Sequence, residues 1–576
     1  MRDLTSLLTM SMNDSQINLN LPEDKTPEPV GLLNKPIQVV DLFAGPGGLG
    51  EGFTSSGEGN RFEIVVSAEK DPKAWQTLRL RAFYRLLKKR RPDLLFEYYN
   101  YCNDPNAPDT FKPSMESEYL WDEAAKEAKC ITLGSDHGNT TLDNALEALD
   151  EKRPWVLIGG PPCQAYSIVG RARNQSKVDY KAEDDHRHFL YKEYLRIIRE
   201  KQPTMFVMEN VKGILSSKVN NELIFSNILR DLSDPGQALH EGSGKQYRIY
   251  SLVTGASFGP GEDVDKIDPR AFIIKAEDYG IPQARHRVIL LGIATDSLPR
   301  SNDRVKLASG EKKVTVGQVL KSLPRLRSGL TKEADSQERW IDVVLEQIDF
   351  LRSHTDPVDF ESWGTLQDLT RAFESPEVPL SPGGRRVERA EARDDGSTDI
   401  SDLDEWYLDG NLKYWLNHES RGHMPTDLRR YLFAAVYAKQ HGTSPKGHKE
   451  FSLEGLAPDH KNWESGKFSD RFRVQIEDKH ATTITSHISK DGHYFIHYDP
   501  TQCRSLSVRE AARIQTFPDN YFFQGSRTDQ FHQVGNAVPP LLASKISKVV
   551  FGILFDKVRD YDQRLAENAK SEEVCV

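Results

Sequence analysis

At 576 residues, with 38 % hydrophobic and 28 % charged side chains, the chain is long enough for at least two structural units and reads as soluble and globular. No run of about 18 apolar residues occurs, which argues against a membrane span, and no small-residue cleavage site follows Met1-Arg2-Asp3, so no signal peptide is read. The formal net charge of −10 excludes a wholly basic, nucleic-acid-coating protein but leaves room for a local basic groove. Cys102, Cys130, Cys163, Cys503 and Cys575 stand without a C-x-x-C pair, which speaks for a reducing cytoplasm and against a zinc site or disulfide frame.

In chain order, residues 1–35 read as a polar, proline-containing tail. Ile37 to Leu42 predicts a buried strand, ended by the glycine-rich run Phe43-Ala-Gly45-Pro-Gly47-Gly48-Leu-Gly50. Phe62 to Ser67 predicts a second strand ending at Glu69, residues 81–129 a helical, charged insertion, and Cys130 to Leu133 a weak third strand. Trp155 to Ile158 predicts another strand, followed at once by Gly159-Gly160-Pro161-Pro162-Cys163. Leu190, Tyr191, Tyr194, Leu195 and Ile198 share a helical face. Met205 to Met208 then runs into Glu209-Asn210, and Val288 to Ile293 follows Gln283-Ala-Arg285-His-Arg287. Short apolar strands alternating with helices predict an α/β fold, a doubly wound, mostly parallel sheet over residues 36–295. Residues 296–480 break that rhythm with an acidic stretch, Asp394 to Asp409, and one clear helical face, Leu428, Tyr431, Leu432, Ala435 and Val436. They predict an inserted mixed domain, after which 481–560 return to the sheet and 561–576 form a polar tail.

Gly45-Pro-Gly47-Gly48-Leu-Gly50 fits G-x-G-x-x-G, with Glu69 about twenty residues on. A helix N-terminus after such a turn holds a pyrophosphate or a carboxylate equally well. The motif alone therefore leaves open a nicotinamide dinucleotide, S-adenosyl-L-methionine with Glu69 on its ribose, or no ligand. Pro161-Pro162-Cys163-Gln164 follows a buried strand at the carboxyl end, where α/β sheets place ligands. A thiol on a polar loop there suits a nucleophile, given a neighbouring cation to lower its pKa from roughly 8.5. Burial as a small hydrophobe carries about equal weight. Glu209 ends a second strand at the same edge, where a buried carboxylic acid donates a proton or hydrogen bond.

The ordered series Asp41-Leu-Phe-Ala-Gly-Pro-Gly-Gly-Leu-Gly50, Gly160-Pro-Pro-Cys163-Gln, Glu209-Asn-Val, Gln283-Ala-Arg-His-Arg287 and Gly535-Asn-Ala-Val-Pro-Pro540 closely resembles the DNA cytosine-5 methyltransferase family, of the bacterial restriction–modification type. The matching blocks cover about Ile37 to Ala294 and Ala481 to Lys545. The resemblance implies an S-adenosylmethionine-dependent methyltransferase fold, with 36–295 the catalytic and cofactor-binding domain and 296–480 the target-recognition domain. Cys163 would attack C6 of a flipped-out cytosine, Glu209 would hold N3 and the exocyclic amine, and Arg287 would contact O2, with Arg285 the second candidate. The S-adenosyl-L-methionine site would comprise Phe43, Gly45, Gly47, Gly48, Glu69, Asp136, Pro161, Asn536 and Val538. Asp136 is the loosest carry-over, since Gly134-Ser-Asp136-His departs from the usual Gly-Asp pair.

Ser507-Val-Arg-Glu510 reads as a capping box opening a structural helix. His480, His487, His493 and His497 lack a thiol or acid at ligand spacing and are expected at the surface or on the DNA backbone, with no metal site. Arg171, Arg173, Lys177 and Lys181 make the loop after Cys163 basic, suited to phosphates. Arg421, His423, Arg429 and Arg430 are candidates for base reading, with a solvated helix face the blander account, and the acidic stretch is expected to face away from DNA or be mobile. The expected partner is double-stranded DNA, with a restriction endonuclease acting on the same sequence as the companion implied by the resemblance. A cytoplasmic, nucleoid-associated monomer is expected. The alternatives are a tRNA cytosine-5 methyltransferase, which would lack so long an insertion, and a non-catalytic relative, which would have lost the intact Pro-Cys and Glu-Asn-Val motifs.

Overall fold

The computed structural model describes residues 35–162, 186–219, 222–240, 242, 244–299, 301–355, 360–374, 380–389, 395–458, 463 and 471–573. Nine strands form the main sheet: β1 (Ile37–Leu42), β2 (Phe62–Glu69), β3 (Ala128–Cys130), β4 (Trp155–Gly159), β5 (Met205–Val211), β6 (Tyr247–Ser251), β7 (Ser257–Phe258), β8 (Ile273–Lys275) and β9 (His286–Ala294). Their order is β3-β2-β1-β4-β5-β9-β6-β7, with β8 paired to the first residues of β9. The β3-to-β5 run is parallel, so the chain reverses direction across the sheet beside β1, and the ends of β1 and β4 open a crevice. Strand β9 instead runs antiparallel to β5. Its first residues therefore lie at the edge where β5 ends.

Five helices bear on the site: α1 (Gly48–Thr54), α2 (Pro72–Arg90), α3 (Val508–Ile514), α4 (Arg527–Asn536) and α5 (Pro540–Glu573). Helices α1 and α5 cover one face of the sheet through Leu49, Phe53, Leu542, Ile546 and Val550, and the polar end expected from 561 carries α5 on to Glu573. The helix patterned on Leu190 and Tyr194 lies across the other face. Arg527–Asp556 is long and apolar enough by composition to cross a membrane, yet 61 % of its most apolar window is buried inside the fold. It is a core segment.

The segment 81–129 is helical as expected but not separate. Phe83, Tyr98, Cys102 and Leu120 share one core with Leu412, Leu416 and Phe522. Arg386 donates to the carbonyl of Tyr101 at 2.7 Å, tying that segment to the strand pair Gly383–Glu388 and Tyr414–Glu419. The acidic stretch is likewise anchored from Asp395 onward. Asp409 accepts from the Tyr99 hydroxyl and from Asn520, both at 2.6 Å, and Tyr407 is buried against α3.

The expected helical face appears on Pro425–His441, with Leu428, Tyr431, Leu432, Ala435 and Val436 all buried. The basic residues around it, expected as base readers or as a solvated face, make contacts within the fold. Arg430 is buried and donates to the carbonyl of Leu456 at 2.8 Å, while Arg429 binds Gln347 and lies 3.5 Å over the Phe350 ring. His423 is buried beside Tyr431, and Arg421 donates to the carbonyls of Ile488 and Lys490 at 2.7 Å. Their donors already serve the fold.

Helix α3 opens on the expected capping box: the Ser507 hydroxyl accepts from Glu510 N–H at 3.2 Å, and Glu510 accepts from Ser507 N–H at 2.7 Å. All seven of its residues are buried. Glu510 is also gripped by both terminal nitrogens of Arg504, at 2.7 Å each. Two histidines close this buried cluster, His418 on Ser507 and Pro324, and His497 at 3.6 Å from Glu510. Of the four histidines expected at the surface, His487 is exposed and His480 half-buried, whereas His493 and His497 are buried.

Burial pushes His418 and His497 down from 6.5 to about 4. Between those values the unfolded chain binds protons that the folded one refuses, so stability falls with pH from 6.5 towards 4. The loss is at most about 3 kcal/mol per histidine. Melting temperatures should drop steeply over this window, and less in His497→Gln, whose side chain takes up no proton. A flat profile would refute the assignment.

Candidate active site

The glycine-rich turn after β1 depends on left-handed backbone at Gly45 and Gly47, and Phe43 shares it, with φ of 59°. Ala44 N–H donates to the carbonyl of Ala68 at 3.1 Å, and Gly45 N–H to Glu69 Oε2 at 2.8 Å. Glu69 Oε1 accepts from the amides of Lys70 and Asp71. Burial raises the Glu69 carboxyl, and these amides oppose the rise. Oε2, with one accepted bond, keeps capacity for a further donor such as a ribose hydroxyl. Asp41, wholly buried beneath the turn, is pushed up to about 8 by burial and then by Glu69, so it is mostly neutral at pH 7.

A side chain at Gly48 would sit 2.2 Å from the Val538 carbonyl oxygen, so only glycine lets the returning chain press on the loop. The open side lies at Gly45, where an added Cβ meets nothing within 4 Å. Phe43 is half-buried, packed at the margin of the sheet core. Together these make a cradle with an acceptor at Glu69 and an open approach at Gly45.

The second loop leaves β4 as Gly160-Pro161-Pro162. The buried Asn210 side chain donates to the Pro161 carbonyl at 3.3 Å, and a Cβ on Gly160 would lie 3.1 Å from Glu209 Oε2. Glu209 Oε1 and Arg287 Nε stand 2.8 Å apart, each side chain about one-seventh exposed. In the β5–β9 register Glu209 faces Ile289 and Val211 faces Arg287, which makes the ion pair a diagonal contact on one face of the sheet. Arg287 Nη1 also donates to the His286 carbonyl at 3.0 Å.

Arg285 has a different station. Fully buried, it donates to the carbonyls of Ile484 at 2.8 Å and Gly535 at 3.4 Å. It thus joins β9 to the returning chain. Gly535 in turn abuts Thr485 and Ser486, where a Cβ would come within 2.4 Å of backbone atoms. Contacts link these residues into a rim at the sheet edge: glycine-rich turn, Val538, Gly535, the turn at 485–490, Arg285, Arg287, Glu209 and Pro161.

Cys163 and Gln164, with Arg171, Arg173, Lys177 and Lys181, lie outside the described residues. What is placed is Pro162, the residue bonded to Cys163, at the carboxyl edge of β4. Pro161 and Val538 are buried in the rim, but Asn536 is exposed and its side chain lies 3.1 Å from His532 Nδ1. Asp136 is exposed at the first turn of the helix Asp136–Leu146, which packs on β2. Among the described residues no three potential ligands cluster for a metal. Sequence reasoning missed Asn210, Asp41 and the 485–490 turn. Asn210 and Asp41 lay inside quoted motifs, whereas nothing local marks the turn.

The family model for C-5 cytosine-specific DNA methylases matches residues 37–87 and 121–552, and the unmatched interval lies inside the segment 81–129. The type II methyltransferase M.Bpa9945I of Bacillus paralicheniformis is 32 % identical over 530 residues, covering 90 % of this chain and 99 % of that protein. M.AgeI of Thalassovita gelatinovora, also named a type II methyltransferase, is 27 % identical over 530 residues, 89 % of this chain and 99 % of its own. The DNA (cytosine-5)-methyltransferase PliMCI of Paracentrotus lividus is 25 % identical over 587 residues, 93 % of this chain and 30 % of the larger relative.

The two arginines should separate by stability. Arg285→Ala strands buried carbonyls and should cost about 2–3 kcal/mol in chemical denaturation, whereas Arg287→Ala, whose partner Glu209 retains some access to water, should cost less. Equal losses would contradict the division of roles.

Proposed function

The chain belongs to the C-5 cytosine-specific DNA methylases, enzymes that methylate cytosine in DNA at carbon 5, and we propose that it draws the methyl group from S-adenosyl-L-methionine and acts through Cys163 on a flipped-out base. One observation carries this reading: the Glu209–Arg287 pair stands at the sheet edge where the glycine-rich cradle and the Pro161-Pro162 turn meet, tied to that turn by Asn210.

The cradle suits the cofactor's two polar ends. Glu69 holds the ribose hydroxyls, the turn at Gly45 to Gly48 receives the methionine carboxylate, and Phe43 packs on the adenosine. When bound, the cofactor supplies an electrophilic methyl group. Cys163 adds to C6 of the cytosine, forming the S–C6 bond and driving electron density to C5. Glu209 hydrogen-bonds N3 and the exocyclic amine, stabilising the charge that this attack develops. Arg287 holds Glu209 in place before the base arrives and contacts O2 afterwards, while Arg285 acts as a structural bracket. Loss of the C5 proton after transfer returns the electron pair, breaks the S–C6 bond and frees Cys163. Extruding the base costs a few kcal/mol, which the rim contacts offset.

The specific double-stranded sequence is read from 296–480, and a restriction endonuclease acting on the same sequence is the expected companion, supported by the type II names of two relatives. Those names and the family description favour DNA over tRNA. The protein works as a cytoplasmic monomer on the nucleoid.

Bisulfite sequencing of DNA from cells expressing the chain tests activity and reveals the site together. Cys163→Ser should reduce methyl transfer by at least about a thousandfold, since a hydroxyl is a far weaker nucleophile than a thiolate. Substrate duplexes carrying 5-fluorocytosine should trap a covalent adduct at Cys163. Full activity in the serine variant, or an active enzyme that forms no adduct, would overturn the mechanism.

A further inference from the structure

The turn Ser486–Ser489 belongs to the rim yet makes no contribution to the chemistry above. It is braced on its inner side to an unusual degree. Arg421 donates to three successive carbonyls, those of Ile488 at 2.7 Å, Ser489 at 3.4 Å and Lys490 at 2.7 Å. Its guanidinium also lies 5.1 Å from the centre of the Phe531 ring, wedged between the turn and α4. Arg285 holds the preceding carbonyl, Ile484, and Gly535 lets α4 approach the backbone at Thr485 and Ser486.

This bracing fixes the polarity of the turn. Its carbonyl oxygens, the partial negative charges, face inward onto a guanidinium. Its outer side presents His487 and Lys490, both exposed and neither with a side-chain partner among the described residues. His532 and Asn536 of α4 are exposed alongside. A braced turn that presents Lys490 outward, with the next residue Asp491 accepting from the His493 amide at 3.0 Å, stands beside the candidate site and fits an anion passing it, and DNA carries a phosphate at every nucleotide.

We infer that the Ser486–Lys490 turn is a docking surface for the DNA backbone next to the target base, with Lys490 paired to a phosphate and Arg421 holding the turn rigid. The inference rests on the DNA-methylase reading and adds where the duplex is gripped. A phosphate contact fixes the depth at which a duplex lies over the pocket, so its position bears on base entry without reading sequence.

The test measures binding apart from methylation. Binding of a short mixed-sequence duplex is followed by fluorescence anisotropy across a salt series, for the wild-type protein and for Lys490→Ala, Lys490→Arg and Lys152→Ala. Lys152 precedes β4 at the opposite edge of the sheet, so its loss changes net charge equally without touching the rim. Lys490→Ala should weaken binding several-fold and shallow the log–log salt slope by about 1. Lys490→Arg should restore both, Lys152→Ala should leave both unchanged, and KM for mixed genomic DNA should rise in Lys490→Ala. A slope in Lys490→Ala equal to wild type, or an equal effect from Lys152→Ala, overturns the inference while methylation by the wild type leaves the enzymatic reading standing. Conversely, a Lys490-dependent slope in a protein that methylates nothing would sink the reaction and keep the surface.

Discussion

The contact between Gly48 and the Val538 carbonyl joins backbone to backbone across nearly the whole chain, and the site depends on it. At this approach any side chain on Gly48 would clash, and the carbonyl can yield only by shifting the segment that leads into α5. Helix α5 is itself fixed, since Leu542, Ile546 and Val550 sit in the sheet core with Leu49 and Phe53 of α1. The glycine-rich loop thus takes its shape from residues that enter last in the sequence.

The same logic of closure governs the reacting edge. Parallel strands deliver the Pro161-Pro162 turn and Glu209 to one edge, as expected of a doubly wound sheet. Arg287 reaches that edge only because β9 is antiparallel and so begins where β5 ends. The ion pair at 2.8 Å leaves each side chain a minor share of its surface in solvent, so both groups can be reached from outside the sheet. Two residues upstream, the same sequence motif yields a buried bracket, Arg285. Neighbouring arginines of identical chemistry are given separate tasks by burial alone.

Away from the edge, polar residues serve the frame. The buried cluster of Arg504, Glu510, His418 and His497 fixes α3 against the strand Tyr414–Glu419, and Arg386 joins that strand's partner to the segment around Tyr101. Helix α2 begins directly after Glu69 and carries the chain into that segment. Glu69 is therefore joined through α2 to the core that the segment around Tyr101 shares with Leu412 and Leu416.

Much of this was legible in the sequence. Apolar runs ending in glycine or proline located the central strands, the capping box located α3, and the five ordered motifs identified the family, because strand periodicity, capping and turn chemistry are local properties written in adjacent residues. The sequence alone also singled out the acid Glu209, the pair Arg285 and Arg287, and the glycine-rich turn, whereas Cys163 lies outside the described residues. It could not show the direction of β9, the split between Arg285 and Arg287, the burial of His493 and His497, or the engagement of Arg421, Arg429 and Arg430 within the fold. Those outcomes depend on which distant carbonyls and rings stand opposite each side chain. An arginine looks the same in a sequence whether it meets solvent, a phosphate or the backbone of a turn. Only the tertiary structure decides, because burial and hydrogen-bond partners are set by segments hundreds of residues apart.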